Sequence, residues 1–365
     1  MHWIPAILIL PYIFLLLKIY RRLLHPEPFY ISTDPSTFVT VVVACRNEQK
    51  NVPFLLKSIS LQNYPEYLFE VIIVNDKSAD KTFEIASGFT GISNLCVLNN
   101  EGKGKKQALR TGIKSAKGKL VITTDADCRM GKNWIKSIAA FYEFNSPDMI
   151  ICPVMLDSRT GFFGMFRELE FMSLQGITAG CALAGDATMC NGANLAFTSK
   201  AYLDHSDNLH DEINSGDDIF LLHNLKKEPH SKILWLESKE AKVITESPTT
   251  LRSFLKQRSR WISKGKAYKD RQTILLGAVT FVAIILQISY IIAYIFKPVL
   301  IWDLLAILIL KSVPDFLIIQ NMCIRYGKRN LLRWFLPSQL IYPFYVLSVV
   351  IYSLIFRETL TEDCG

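Results

Sequence analysis

The chain has 365 residues, with 41 Lys and Arg against 33 Asp and Glu and a formal net charge of +8. Half of its residues are apolar and a fifth are charged, a mixture that excludes both a wholly water-soluble chain and one made only of membrane spans. The apolar excess lies at the two ends, and residues 30 to 270 keep the charge balance of a soluble domain long enough for a sizeable core. The eight cysteines form no C-x-x-C pair and no framework spacing, so they read as reduced thiols facing a cytosol.

Trp3 to Leu17 is an uninterrupted apolar stretch, and Lys18, Arg21, Arg22 and His25 follow it at once. A signal peptide would carry its positive charge before the run and a small-residue cleavage site after it. Residues 1–20 are therefore read as a transmembrane anchor, short against the roughly 20 residues a bilayer needs and holding Pro5 and Pro11. The next stretch, residues 30–248, alternates β-branched runs with helical patterns. Strands are expected at Val39–Ala44, Val71–Val74, Leu95–Leu98, Leu120–Thr124 and Met149–Pro153, and helices at Glu48–Leu61, Asp80–Ser87, Lys105–Ala116 and Asn133–Phe144. This alternation predicts an α/β fold, a Rossmann-like, mostly parallel sheet with helices on both faces. In such sheets ligands bind beyond the carboxyl ends of the strands.

Three polar clusters fall at those ends: Ala44-Cys45-Arg46-Asn47-Glu48, Asn75-Asp76-Lys77-Ser78 and Asp125-Ala126-Asp127. They are expected to converge on one crevice. Carboxylates at i and i+2 leaving a strand can hold Mg²⁺ or Mn²⁺ against a diphosphate, because hard cations take oxygen ligands. Gly104-Lys105-Lys106 opens a helix, and a basic loop at a helix N-terminus suits phosphate, with Lys103 and Lys106 competing with Lys105 for that role. A second acidic pair, Asp217-Asp218, precedes the apolar run Ile219–Leu222. Plainer roles stay open for Asp76 as an Asx-turn or N-cap, for Asp127 as a helix N-cap, and for Asp217 as a first-turn carboxylate.

Residues 249–271 form an amphipathic interfacial segment, with Leu251, Phe254, Leu255, Trp261 and Ile262 spaced for one helical face and Gln257-Arg258-Ser259-Arg260-Trp261 within it. Residues 272–357 then hold three expected spans, Thr273–Phe296, Val299–Ile324 and Phe335–Phe356. The middle one carries Asp303, Lys311 and Asp315, which should look inward or, at the ends, snorkel. Basic residues after the anchor, around 264 to 271 and around 325 to 333, place the central domain in the cytoplasm of a multi-pass inner-membrane protein. Met1, the link at Lys297-Pro298 and the tail from Glu358 then lie outside, with Cys364 open to an impermeant thiol reagent and Cys323 protected.

In their order along residues 38 to 265, these motifs resemble those of the membrane-embedded branch of family 2 inverting glycosyltransferases of the GT-A fold, which includes cellulose, hyaluronan and poly-N-acetylglucosamine synthases. The resemblance implies donor contacts from Ala44, Arg46, Glu48, Asp76, Lys105, Asp125, Asp127 and Arg260. Among these, Asp76 would meet the base, and Lys105 and Arg260 the diphosphate. Asp127 would bind the metal directly, with Asp125 nearer the ribose or a metal-bound water. It makes Asp218 the general base, with Asp217 beside it, and assigns the acceptor to Asn191, Gly192, Gln257 and Trp261. It implies transfer of a sugar from a nucleotide sugar, UDP-GlcNAc or UDP-glucose, to a saccharide or lipid-linked acceptor in cell-envelope or extracellular polysaccharide synthesis. The implied cofactor is Mg²⁺ or Mn²⁺, and the implied partners are membrane lipids and accessory synthase subunits, with no nucleic acid. Two alternatives stand beside it. One is a single-addition transferase acting on a lipid-linked glycan, to be told apart by sizing the product. The other is a non-catalytic sugar-nucleotide-binding subunit, which would release no nucleotide.

Overall fold

The structure, a computed structural model, describes residues 4–157, 160–213 and 215–356. Met1, the tail from Glu358 and Cys364 lie outside the described residues. The first described element is helix α1 (Ile4–Leu23). It is followed by β1 (Val39–Cys45), α2 (Val52–Ser60), β2 (Phe69–Asn75), α3 (Thr82–Ser87), β3 (Leu95–Asn99), α4 (Lys105–Lys114) and β4 (Leu120–Thr123). Then come β5 (Arg129–Met130), α5 (Trp134–Asn145), β6 (Met149–Ile151), β7 (Val154–Leu156), α6 (Gly161–Leu183), β8 (Leu195–Thr198), α7 (Ser199–Leu203) and α8 (Asp217–Leu225). β9 (Ile233–Trp235), β10 (Val243–Thr245), α9 (Leu251–Ser263), α10 (Arg271–Phe296), α11 (Ile301–Arg325) and α12 (Phe335–Ile355) complete the described elements. Two compact units emerge: one α/β, from residues 27–157 and 189–246, and one helical, from the described parts of 1–26, 158–188 and 247–360.

The α/β unit is built on a seven-stranded sheet in the order β3-β2-β1-β4-β8-β6-β9. β2 is buried at every position and β1 at all but Ala44, as expected of parallel strands covered on both faces. β1 pairs in parallel with β2 and β4, and β2 with β3. β8 enters antiparallel between β4 and β6, so the sheet is mixed at its centre. The strand expected over Met149–Pro153 divides at Cys152-Pro153, where proline offers no ladder donor. β6 stays in the large sheet, and β7 joins β10 and β5 in a second, three-stranded sheet. α4 lies close against the large sheet because Gly112 has no side chain, and a Cβ there would sit 2.5 Å from Cγ1 of Val42 on β1 and 3.0 Å from Cγ2 of Val74 on β2. This contact fixes the helix that begins with Lys105.

In the helical unit, α1 buries Ile9, Tyr12, Leu16, Ile19 and Leu23 along one stripe and leaves Ile7, Leu10, Phe14 and Leu17 exposed. Small residues let α6 approach closely. A Cβ on Gly180 would meet Cγ2 of Ile19 at 2.4 Å, and one on Gly176 would meet Cγ2 of Ile318 at 2.5 Å, the small-xxx-small packing of helices in apolar surroundings. The ionisable residues of α11 do look inward: Asp303, Lys311 and Asp315 are all buried. Lys311 Nζ lies 2.7 Å from Asp315 Oδ2, the Gln339 amide donates to the same oxygen at 3.0 Å, and the Tyr12 hydroxyl donates to Asp315. Two helical stretches, Arg271–Phe296 and Arg329–Ile355, are long and apolar enough to cross a bilayer. α9 buries a polar pair beside its aromatic anchor. Its buried residues are Phe254, Arg258 and Ser259, while Leu251 and Ile262 are exposed.

Candidate active site

The site is assembled at the carboxyl ends of β1, β2 and β4. Beyond β4, Ala126 and Cys128 turn into the core while Asp125 and Asp127 stay half-buried on the other side, the two-residue alternation of extended backbone. The Cys128 amide donates to the Asp125 carbonyl at 3.1 Å and closes the turn. Asp125 Oδ1 lies 2.5 Å from the ammonium of Lys105. Asp127 Oδ2 accepts from Thr245 Oγ1 at 3.0 Å, which ties the triplet to β10. Asp127 therefore caps no helix; the N-cap of α5 is Asn133.

Lys105 is the hub. Burial alone would lower its pKa, but Asp125, Asp217 and Asp218 together hold it above the ordinary lysine value. The triplet after β4 and the acidic pair that opens α8 thus share one cation, although they are far apart in sequence. Lys106 does not compete for that place, because its ammonium is buried and donates to the carbonyls of Leu209 and His210 at 2.6 and 2.7 Å. With Arg110, which pairs with Asp211 at 2.9 Å, it secures the loop that leads to α8. Asp218 receives the Gly192 amide on Oδ2 at 2.9 Å and its neighbour Ile219 on Oδ1 at 2.8 Å, and Asp217 is buried beside it. The Asn191 side chain accepts from Ala193 N at 3.0 Å and shapes the turn that presents Gly192.

The other predicted donor residues divide. Glu48 is half-buried near the triplet. Burial raises its pKa and the charges of Asp127, Asp125 and Glu246 add to that, against the Asn51 amide that donates to it. Burial likewise raises Asp127, with Asp125 the next cause and the Thr245 hydrogen bond opposing. Glu246, which no sequence motif marks, belongs to this neighbourhood through its place after β10. Arg46 is exposed, and its neighbour Asn47, at φ 56°, accepts from Ala79 N at 2.8 Å, joining the loops after β1 and β2. Asp76 is 4% exposed, and its oxygens accept from Gly104 N at 3.0 Å and Asn100 Nδ2 at 2.6 Å. It braces the turn that starts α4 and is not a cap of α3, where the Asp80 carboxylate accepts from Thr82 N. Gln257, Arg260 and Trp261 lie on α9 of the helical unit, half-buried.

Residues 40–204 match the family model described as Glycosyl transferase family 2. Among curated relatives, a poly-beta-1,6-N-acetyl-D-glucosamine synthase of Staphylococcus epidermidis is 27% identical over 70% of this chain and 60% of its own length. A poly(ribitol-phosphate) beta-N-acetylglucosaminyltransferase of Staphylococcus aureus is 32% identical over 35% of this chain and 23% of its own. Glycosyltransferase AglE of Haloferax volcanii is 34% identical over 28% of this chain and 35% of its own. The chain thus spans less than two thirds of the length of each of these relatives. A solved mannosyltransferase of Pyrobaculum calidifontis, in complex with GDP-Man and Mn²⁺, superposes with a TM-score of 0.57 at 16% identity, over 97% of this chain and 99% of that one. The fold is GT-A.

A carboxylate whose pKa is raised on folding binds its proton more tightly folded than unfolded, so its contribution to stability falls as pH climbs past the ordinary carboxylate range. Asp127→Asn removes that crowded charge at constant volume. In chelator near neutral pH its melting temperature should exceed wild type by about 2 °C or more, and the gap should close as pH falls toward about 4. Melting curves of the detergent-solubilised chain check this, and a lower melting temperature for Asp127→Asn at neutral pH would show that its neighbours stabilise the charge.

Proposed function

We propose that this protein is an inverting glycosyltransferase that moves a sugar from a nucleotide-sugar donor to a saccharide or lipid-linked acceptor at the cytoplasmic face of a membrane. The single observation that carries the reading is Lys105, set between the strand-end carboxylates Asp125 and Asp127 and the α8 pair Asp217 and Asp218. The names of two relatives favour N-acetylglucosamine as the sugar, and the family resemblance implies UDP as its carrier.

Asp125 and Asp127 leaving β4, with Glu48 and Glu246 near enough to add their charge, fit a divalent cation. Among the described residues no three metal-ligating side chains gather at one point, which suits Mg²⁺ or Mn²⁺ held by one or two carboxylates with substrate oxygens completing the shell. Asp127 and Asp125 would hold the ion, and when bound it would offset charge on the diphosphate. The chain's own residues do the rest. Lys105, at the N-terminus of α4, contributes positive charge and a donor to the departing phosphate oxygens. Each oxygen of Asp218 accepts one backbone N–H and keeps a lone pair for a further proton. As the acceptor oxygen bonds to the anomeric carbon, its proton passes to Asp218 and the bond to the nucleoside diphosphate breaks with its electron pair on the leaving oxygen. A single displacement with one carboxylate base inverts the anomeric centre. Arg260 would reach the diphosphate, while Gln257 and Trp261 would meet the acceptor, as the family resemblance implies.

Asp218→Asn should reduce transfer from radiolabelled UDP-N-acetylglucosamine by about 10²–10⁴-fold while UDP affinity changes less than about threefold. Equal losses of both would move Asp218 to the donor site. For the membrane, the reading sets α1, α10, α11 and α12 across the bilayer with the α/β unit in the cytoplasm, supported by the two long apolar helices and the basic clusters beside them. Cys323 is buried, so its protection from reagents would not report topology; Cys96, exposed on β3, is the better reporter. An impermeant thiol reagent should label Cys96 only after cells are permeabilised, and labelling in intact cells would reverse the orientation.

A further inference from the structure

Arg258 lies inside the Gln257-Arg258-Ser259-Arg260-Trp261 segment, at a position to which the resemblance gives no role. Its side chain is 4% exposed and lies against Phe254, which packs with Phe166, Tyr345 and Val349 in a hydrophobic cluster of the helical unit. A guanidinium so deeply buried must have its donors satisfied. Nε and Nη2 donate to the two carboxylate oxygens of Glu170 on α6 at 2.9 and 2.6 Å, the two-pronged match of fork to carboxylate. The Tyr345 hydroxyl on α12 donates to the same carboxylate at 3.1 Å. The next residue, Ser259, donates to the Val349 carbonyl at 3.2 Å. α9 is thus held in rotation by α6 and α12.

The pairing with Glu170 explains why Arg258 is inside, but two further contacts point outward. Nη1 donates to Oε1 of Gln257 at 2.6 Å, and the guanidinium carbon stands 4.1 Å from the centroid of the Trp261 ring, within cation–π range. Gln257 and Trp261 are half-buried, so each has one side fixed to Arg258 and another left accessible. Lysine would keep the charge but could not pair with Glu170 through a fork, reach Gln257 and stack under an indole at once.

We propose that Arg258 is a positioning residue, locked by Glu170 and Tyr345, that fixes the Gln257 carboxamide and the Trp261 indole as a rigid platform for the sugar ring of the acceptor. The platform's use rests on the acceptor role proposed above for Gln257 and Trp261; its rigidity does not. A buried ion pair can be exchanged for apolar side chains of similar volume with little loss of stability, whereas removing one partner leaves an uncompensated charge. The paired variant Glu170→Met with Arg258→Met therefore separates holding the fold from holding the platform.

The test uses the full chain in detergent, labelled with 5-fluorotryptophan, with the Trp261 resonance assigned from Trp261→Phe. The double methionine variant should melt close to wild type and bind UDP within about threefold, while its Trp261 fluorine signal shifts and broadens and the other tryptophan signals away from α9 stay in place. Transfer from radiolabelled UDP-N-acetylglucosamine should drop by about tenfold or more, and Arg258→Lys should show the same signal change. In a Trp261→Phe background the Arg258→Lys change should cost little further activity. An unchanged Trp261 signal in the double variant, or wild-type transfer by it, would overturn the proposal and leave Arg258 with a structural role alone. If the wild-type chain transfers no sugar yet the Trp261 signal responds as expected, the platform stands and the glycosyltransferase reading falls.

Discussion

Too many carboxylates for one ammonium is the condition on which the α/β unit is arranged. Burial raises the proton affinity of Glu48 and Asp127, the charges of Asp125 and Glu246 add to it, and Lys105 is the cation that lies against Asp125. A fold tolerates such crowding where something other than stability requires it. The surrounding architecture serves to hold it. α4 is pressed onto β1 and β2 at Gly112, Asp76 braces the turn before Lys105, Thr245 restrains Asp127, and the Gly192 amide orients Asp218.

The helical unit meets the opposite condition. Its buried charges must each find a partner in surroundings that solvate them poorly. Lys311 and Asp315 pair within α11, and Tyr12 and Gln339 bring α1 and α12 to the same carboxylate. Asn321 and Arg325 donate to the carbonyl of Leu23 at the end of α1 at 3.2 and 2.6 Å. Glu168 meets Lys328 at 2.6 Å, and Glu170 meets Arg258. Since apolar surfaces give helices little reason to prefer one neighbour within a lipid-like medium, these polar links together with Gly176 and Gly180 specify which helix lies beside which.

How much of this could be read from the chain follows from the range of each signal. β1, β2 and β4 were legible because strands buried on both faces are unbroken β-branched runs, and the motifs at their ends follow from the strand ends themselves. The place of β8, antiparallel between β4 and β6, depends on pairing between distant segments and leaves no local mark. α6 carries Arg167, Glu168, Glu170, Gly176 and Gly180 on faces that a hydrophobic stripe would claim, so its periodicity is hidden, and the sequence reading assigned it no element. On α9 the apolar spacing left the place of Arg258 unread: it goes inside because Glu170, far away in the chain, is there to receive it. Thr245 ends a three-residue strand and Glu246 follows it, and both join the site only because β10 pairs with β5 and β7.

The central claim is that the carboxylates beyond β4 exist to hold a nucleoside diphosphate through a divalent cation. Titration calorimetry of UDP into the detergent-solubilised chain, with Mg²⁺ and then with chelator, tests it most directly. The account predicts that UDP binds with the cation present and loses at least about tenfold in affinity without it. As pH falls into the carboxylate range, binding in the presence of Mg²⁺ should also release protons, because the ion competes with them for Asp127, whose proton affinity burial raises. UDP affinity that is the same in chelator, with no proton release, would contradict it.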